Sequence, residues 1–103
     1  MASPQEIPDC IHLTLYVAGD EPNSHLALNN LKEICSGKMR EHCEIEVVDV
    51  YKDFAKALQE RIVVTPTLIV ITENPKAKSV FYGSLHDRDI VLKYLNTGIK
   101  NNG

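Results

Sequence analysis

The 103-residue chain has the size of one domain spanning 1–103, enough to bury a core without disulfides or a metal. Hydrophobic residues make up 44% and charged residues 24%, as in ordinary globular proteins. The net charge of -3 arises from 11 basic and 14 acidic residues spread along the chain, so composition gives no support for nucleic acid or an anionic membrane as a partner.

Residues 1–9, with Pro4 and Pro8, read as a loose lead-in without the basic and apolar regions of a signal peptide. Alternating Ile11, Leu13, Leu15 and Val17 predict a first strand. The turn cluster from Gly19 to Ser24 precedes a helix with Leu28, Leu31, Ile34 and Cys35 at helical spacing, capped by Asn23 or Ser24 and closed by Ser36-Gly37. EIEVVDV predicts a second strand. Asp53 caps a short helix in which Ala55, Leu58 and Ile62 face inward. Thr67 to Thr72 and Lys78 to Tyr82 predict two more strands around a turn at Glu73-Asn74-Pro75-Lys76. Ser84-Leu85-His86-Asp87 has the form of a capping box for a last helix built on Leu85, Ile90, Val91, Tyr94 and Leu95. Gly98 stops that helix, and 98–103 form a frayed tail.

The order is β-α-β-α-β-β-α, an α/β fold with a parallel crossover followed by a hairpin. That succession, with Pro66 at the entry of the third strand, is the thioredoxin arrangement. The longest apolar run, Ile62 to Ile71, is broken by Thr-Pro-Thr and falls short of the roughly 20 residues that span a bilayer. The chain is therefore expected to be cytoplasmic.

Catalysis finds little support. A thioredoxin-type dithiol needs a thiolate at a helix N-terminus, and the loop from Ala18 to Ser24 has no cysteine. Cys35 falls late in the first helix and Cys43 in the loop after it. Their odd number with Cys10 favours thiols over a disulfide framework. A zinc site from Cys10, His12, His42 and Cys43 lacks the usual ligand spacing. No P-loop, Gly-x-Ser-x-Gly or His-x-x-x-His pattern appears. The expectation is a protein without catalytic, metal or cofactor residues. Pro66 either starts a strand or supplies a slow cis/trans step.

Leu15-Tyr16-Val17-Ala18-Gly19-Asp20, Pro22-Asn23-Ser24, Val47-Val48-Asp49-Val50, Thr65-Pro66-Thr67-Leu68 and Asp87-Arg88-Asp89-Ile90-Val91-Leu92 occur in order. Together they closely resemble the KaiB family, over about residues 11–95. The resemblance implies a non-enzymatic regulator that binds a KaiC-like hexameric ATPase and modulates its ATPase or phosphorylation cycle, in a circadian or non-circadian system. It also implies homo-oligomers (dimer or tetramer) and exchange with a ground-state packing, β-α-β-β-α-α-β, in which the second half is rebuilt. Pro66, Pro75, Tyr94 and Asn96 are the implied switch positions. Tyr94 stands where the family often has glycine and Asn96 where it has aspartate, changes that favour the thioredoxin-like form. The family's proline run is reduced to Pro75, and the acidic tail of many clock members is missing. Lys52, Arg61, Lys76 and Lys78 are the expected partner-binding residues, with Arg61 at a basic family position. The alternatives are a KaiC-binding sensory module like those heading clock-output histidine kinases, and a thioredoxin-class redox protein using Cys35 or Cys43.

Overall fold

The structure, a computed structural model, describes residues 10–73, 76–85 and 88–93. The sequence expectations for 1–9, Pro75, His86, Asp87, Tyr94, Leu95, Asn96 and 98–103 lie outside the described residues.

The elements are β1 (Ile11–Val17), α1 (Pro22–Ile34), a 3-10 helix (Gly37–His42), β2 (Cys43–Asp49), α2 (Phe54–Gln59), β3 (Thr67–Glu73), β4 (Lys76–Tyr82) and α3 (Arg88–Lys93). They form one four-stranded sheet in the order β2-β1-β3-β4. The β1–β2 pair is parallel, as the intervening helix requires, and β1–β3 and β3–β4 are antiparallel. The expected thioredoxin-like order is the one adopted. Beyond it, the 3-10 turn carries the chain from α1 to β2, and Cys43 is the first residue of β2 instead of a loop residue. Among the described residues no helix is long and apolar enough to cross a membrane.

Strand alternation divides the core between the two faces of the sheet. Ile11, Leu13, Leu15 and Val17 of β1 and Leu68 and Val70 of β3 pack with Ala27, Leu31 and Ile34 of α1 and Val91 of α3. On the opposite face Tyr16, Val48 and Ile69 pack with Ala57 of α2, with Ile62 and Ile71 partly buried beside them. A fully buried Leu or Ile contributes about 1.5–3 kcal/mol, and the larger cluster lies on the α1 side. The α2 side is covered by a helix of six residues only.

Several local expectations are corrected. Helix α1 begins at Pro22, whose missing N–H costs nothing at a first helical position, with Glu21 before it as N-cap. Neither Asn23 nor Ser24 is the cap. Ser24 is buried, and its Oγ accepts a hydrogen bond from the Ala18 N–H at 3.2 Å, tying the helix start back to the end of β1. In α2 the inward residue is Ala57, while Leu58 and Ala55 are exposed. A single helical turn over a sheet buries one stripe, and Ala57 holds it. Asp53 does cap α2, its Oδ1 accepting from the Lys56 N–H at 3.3 Å. Leu85 lies ahead of α3 in a left-handed conformation (φ 63°), with its side chain in the α1-side core. Asn30 of α1 donates to the Ser84 carbonyl at 2.8 Å and fixes this approach to α3.

Candidate docking surface

The Thr65–Pro66 peptide is cis, and Pro66 is buried where the chain enters β3. The Pro66 carbonyl accepts from the Gly83 N–H at 2.9 Å, and the Thr67 hydroxyl donates to the Val64 carbonyl at 2.7 Å. Thr65 Oγ1 donates to a Glu21 carboxylate oxygen at 3.5 Å, so the proline loop sits beside the start of α1. In that position the chain places Glu21 and Pro22, with no thiol. The loop is held instead by Asp49, whose Oδ1 accepts from the Gly19 N–H at 3.3 Å and the Tyr51 N–H at 2.9 Å. Gly19 adopts φ 54°, and a Cβ there would meet the Tyr51 ring at 3.5 Å. The backbone conformation, more than the space, selects glycine.

Helix α2 ends in a Schellman motif. The Arg61 N–H donates to the Leu58 carbonyl and the Ile62 N–H to the Ala57 carbonyl, both at 3.0 Å. The residue at the left-handed position is Arg61 (φ 58°), where glycine is usual. Ile62 and Ala57 meet in the α2-side core, the apolar contact that accompanies this motif.

Beyond the helix end, the β3–β4 half of this face carries a cleft lined by Glu60, Arg61, Val63, Lys78, Val80 and Tyr82. Its apolar residues face water: Val63 is 86% and Tyr82 66% exposed. Val64, Leu58 and Phe54 are exposed as well. Scattered exposed apolar residues are ordinary, but a patch of large ones rimmed by charge marks an interaction site. Lys78 Nζ lies 3.6 Å from Glu60 Oε1 across the cleft, a surface pair worth at most about 1 kcal/mol. Beneath this side, burial first and then the nearby Glu60 carboxylate push the Tyr16 phenol above its ordinary value.

Of the four expected partner-binding residues, Arg61 and Lys78 are brought together in the cleft lining. Lys76 opens β4 and shares the strand face of Lys78, Val80 and Tyr82 by alternation. Lys52 is exposed in the turn after β2 and is not among the lining residues. The apolar lining residues Val63 and Tyr82, and the exposed Val64 next to Val63, were not singled out as binding residues in the sequence. For the two valines the one signal is the branched Ile62-Val63-Val64 run squeezed between a short helix and a proline, with no element left over to bury all of it; Tyr82 ends β4.

Elsewhere, Cys10, His12 and Glu44 place one ligand atom each within 4.8 Å of one another. His12 Nε2 is 3.4 Å from Cys10 Sγ, and His12 Nδ1 is 3.0 Å from Glu44 Oε1. Both ring nitrogens thus already have protein partners. His42 and Cys43 do not join this group. Cys35 and Cys43 line one cavity on the α1 side, and Cys43 packs against the buried cluster that contains Cys35.

A parallel β-α-β unit, an antiparallel hairpin and a buried proline at the entry of β3 define a protein of the thioredoxin-like class. Solved structures agree on that fold: Trxlp from Edwardsiella tarda EIB202 superposes with a TM-score of 0.72 at 13% identity, over 86% of this chain and 84% of that one. The N-terminal domain of Synechococcus elongatus SasA superposes with a TM-score of 0.69 at 23% identity, over 100% of this chain and 96% of that one. The sequence gives the narrower assignment, because the KaiB domain model matches residues 14–97. The circadian clock oscillator protein KaiB of Prochlorococcus marinus subsp. pastoris is 42% identical over 80 residues, 78% of this chain and 73% of that protein. The KaiB of Trichodesmium erythraeum is also 42% identical, over 78% of this chain and 75% of that protein. The chain belongs to the KaiB family.

Proposed function

We propose that this protein is a non-enzymatic regulator of a Kai-type system, which docks a KaiC-like hexameric ATPase through the cleft beside α2 and modulates its ATPase or phosphorylation cycle. Family membership across residues 14–97 carries this reading. Two features support it. The α1 start offers no thiol for thioredoxin chemistry, and the opposite end of α2 offers exposed Val63, Val64 and Tyr82 with Arg61 and Lys78 at the rim. In such a surface the apolar centre supplies binding energy, and the rim cations favour and steer an acidic partner.

The test is size exclusion of the protein mixed with its cognate KaiC-like ATPase, with ATP and with ADP. Co-elution in one nucleotide state is expected; separate elution in every state overturns the proposal. Insulin reduction at the uncatalysed rate, equal in wild type and a cysteine-free variant, is expected of a non-enzyme. The second packing belongs to the same proposal: residues from α2 onward repack, with Pro66, Pro75, Tyr94 and Asn96 as the switch positions. Two interconverting sets of amide resonances in that half are its signature, and a single set throughout argues against it.

A further inference from the structure

On the α1 side of the sheet, far along the helix from the loop where thioredoxins carry their dithiol, lies a second cysteine arrangement. Cys35 caps the C-terminus of α1 and Cys43 opens β2, with the 3-10 turn between them. Cys35 is buried in the α1-side core and Cys43 packs, half-buried, against that core. Both line an open cavity of about 480 Å³, whose other walls include Lys32 and Arg40.

We propose that Cys35 and Cys43 are a redox-active dithiol, converted to an intramolecular disulfide by a small anionic disulfide that enters the cavity between Lys32 and Arg40. The division of labour follows from the contact. The neighbouring Cys43 sulfur and burial in the α1-side core hold the Cys35 thiol well above its ordinary value. The Cys35 thiol beside it lowers Cys43, against the opposing effect of its own partial burial. Cys43 is the more exposed of the two sulfurs and the more readily ionised, the two properties that favour attack.

The steps balance. The Cys43 thiolate attacks one sulfur of the small disulfide; a Cys43 mixed disulfide forms, and one small thiolate leaves. Cys35 then gives up its proton to that thiolate or to water and attacks the Cys43 sulfur. The Cys35–Cys43 bond forms as the second small thiol departs. The protein dithiol is oxidised by two electrons, and the reagent is reduced to two thiols. The crosslink ties the end of α1 to the start of β2, and it is independent of the docking face on the other side of the sheet.

Glutathione disulfide is the probe, and tryptic mapping under non-reducing conditions is the readout. Wild type is expected to yield a peptide pair joined through Cys35 and Cys43, preceded by a transient glutathione adduct on Cys43. Cys35→Ser traps that adduct on Cys43, whereas Cys43→Ser loses both adduct and crosslink. Cystamine, a cationic disulfide, is expected to react more slowly than glutathione disulfide. Modification confined to Cys10, or no Cys35–Cys43 pair in wild type, overturns the proposal even if a variant fails to fold. Faster reaction with cystamine overturns the role of the two cations.

Discussion

Arg61 combines two roles that substitution can separate. It occupies the left-handed position of the α2 Schellman motif (φ 58°) and lines the cleft with Lys78. A non-glycine residue pays about 1–2 kcal/mol for that conformation. Introducing glycine returns about 0.4–1 kcal/mol to the unfolded chain as entropy. Arg61→Gly is therefore expected to stabilise the fold by about 0.5–1 kcal/mol, a rise in Tm of about 2–8 °C. Arg61→Ala keeps the backbone cost and leaves Tm near that of wild type. Both variants remove the same cation, so both lose about threefold to tenfold in affinity for an acidic partner, and the loss shrinks as salt rises. Thermal denaturation followed by circular dichroism, with binding to the ATPase measured by biolayer interferometry, reads both effects. Equal Tm values for the glycine and alanine variants would refute the backbone argument; unchanged affinity in both would refute the role of the cation.

Ser24→Ala removes the acceptor of the Ala18 N–H inside the fold and should cost about 1–2 kcal/mol in urea unfolding; no loss would show that Pro22 alone sets the helix start. Tyr16, with its phenol raised in the folded state, contributes stability that is present below its ordinary value of 10.0 and is lost as pH rises through and beyond it, because the unfolded chain releases the proton first. Tyr16→Phe should flatten that alkaline decline in a pH series of urea midpoints, and an unchanged slope would assign it to other groups. Val63→Asp, at a side chain 86% exposed, should leave stability within about 0.5 kcal/mol of wild type yet abolish measurable docking; retained docking would remove Val63 from the interface.

The strand–helix order, the parallel crossover and the β3–β4 hairpin were legible because alternation and helical spacing are periodic over whole elements. Short elements were harder. Of the inward stripe Ala55, Leu58 and Ile62 that the sequence offers, Ile62 does pack against the α2-side core, but six residues make little more than one turn, and within the helix the sheet meets Ala57 instead of Ala55 or Leu58. Ser24 looks like a cap because its type suits one, while Pro22 moves the helix start and turns Ser24 toward Ala18. The cations of the candidate site could be named from family position and charge. Val63, Val64 and Tyr82 could not, since an apolar run states a demand for burial and does not say whether the fold meets it. The pairing of Cys35 and Cys43 escaped for another reason: eight positions apart and in different elements, they reach one cavity only because the 3-10 turn folds the chain back from α1 to β2.

The central claim is that the α2 side of the sheet, and not the α1 side, receives the ATPase. Cross-saturation NMR of the labelled protein with its unlabelled cognate KaiC-like hexamer tests it most directly. Attenuation is predicted at Arg61, Val63, Val64, Lys78 and Tyr82, with Lys32, Cys35 and Ile45 unaffected. Attenuation centred on α1 and the α1-facing residues of β2 would contradict the account.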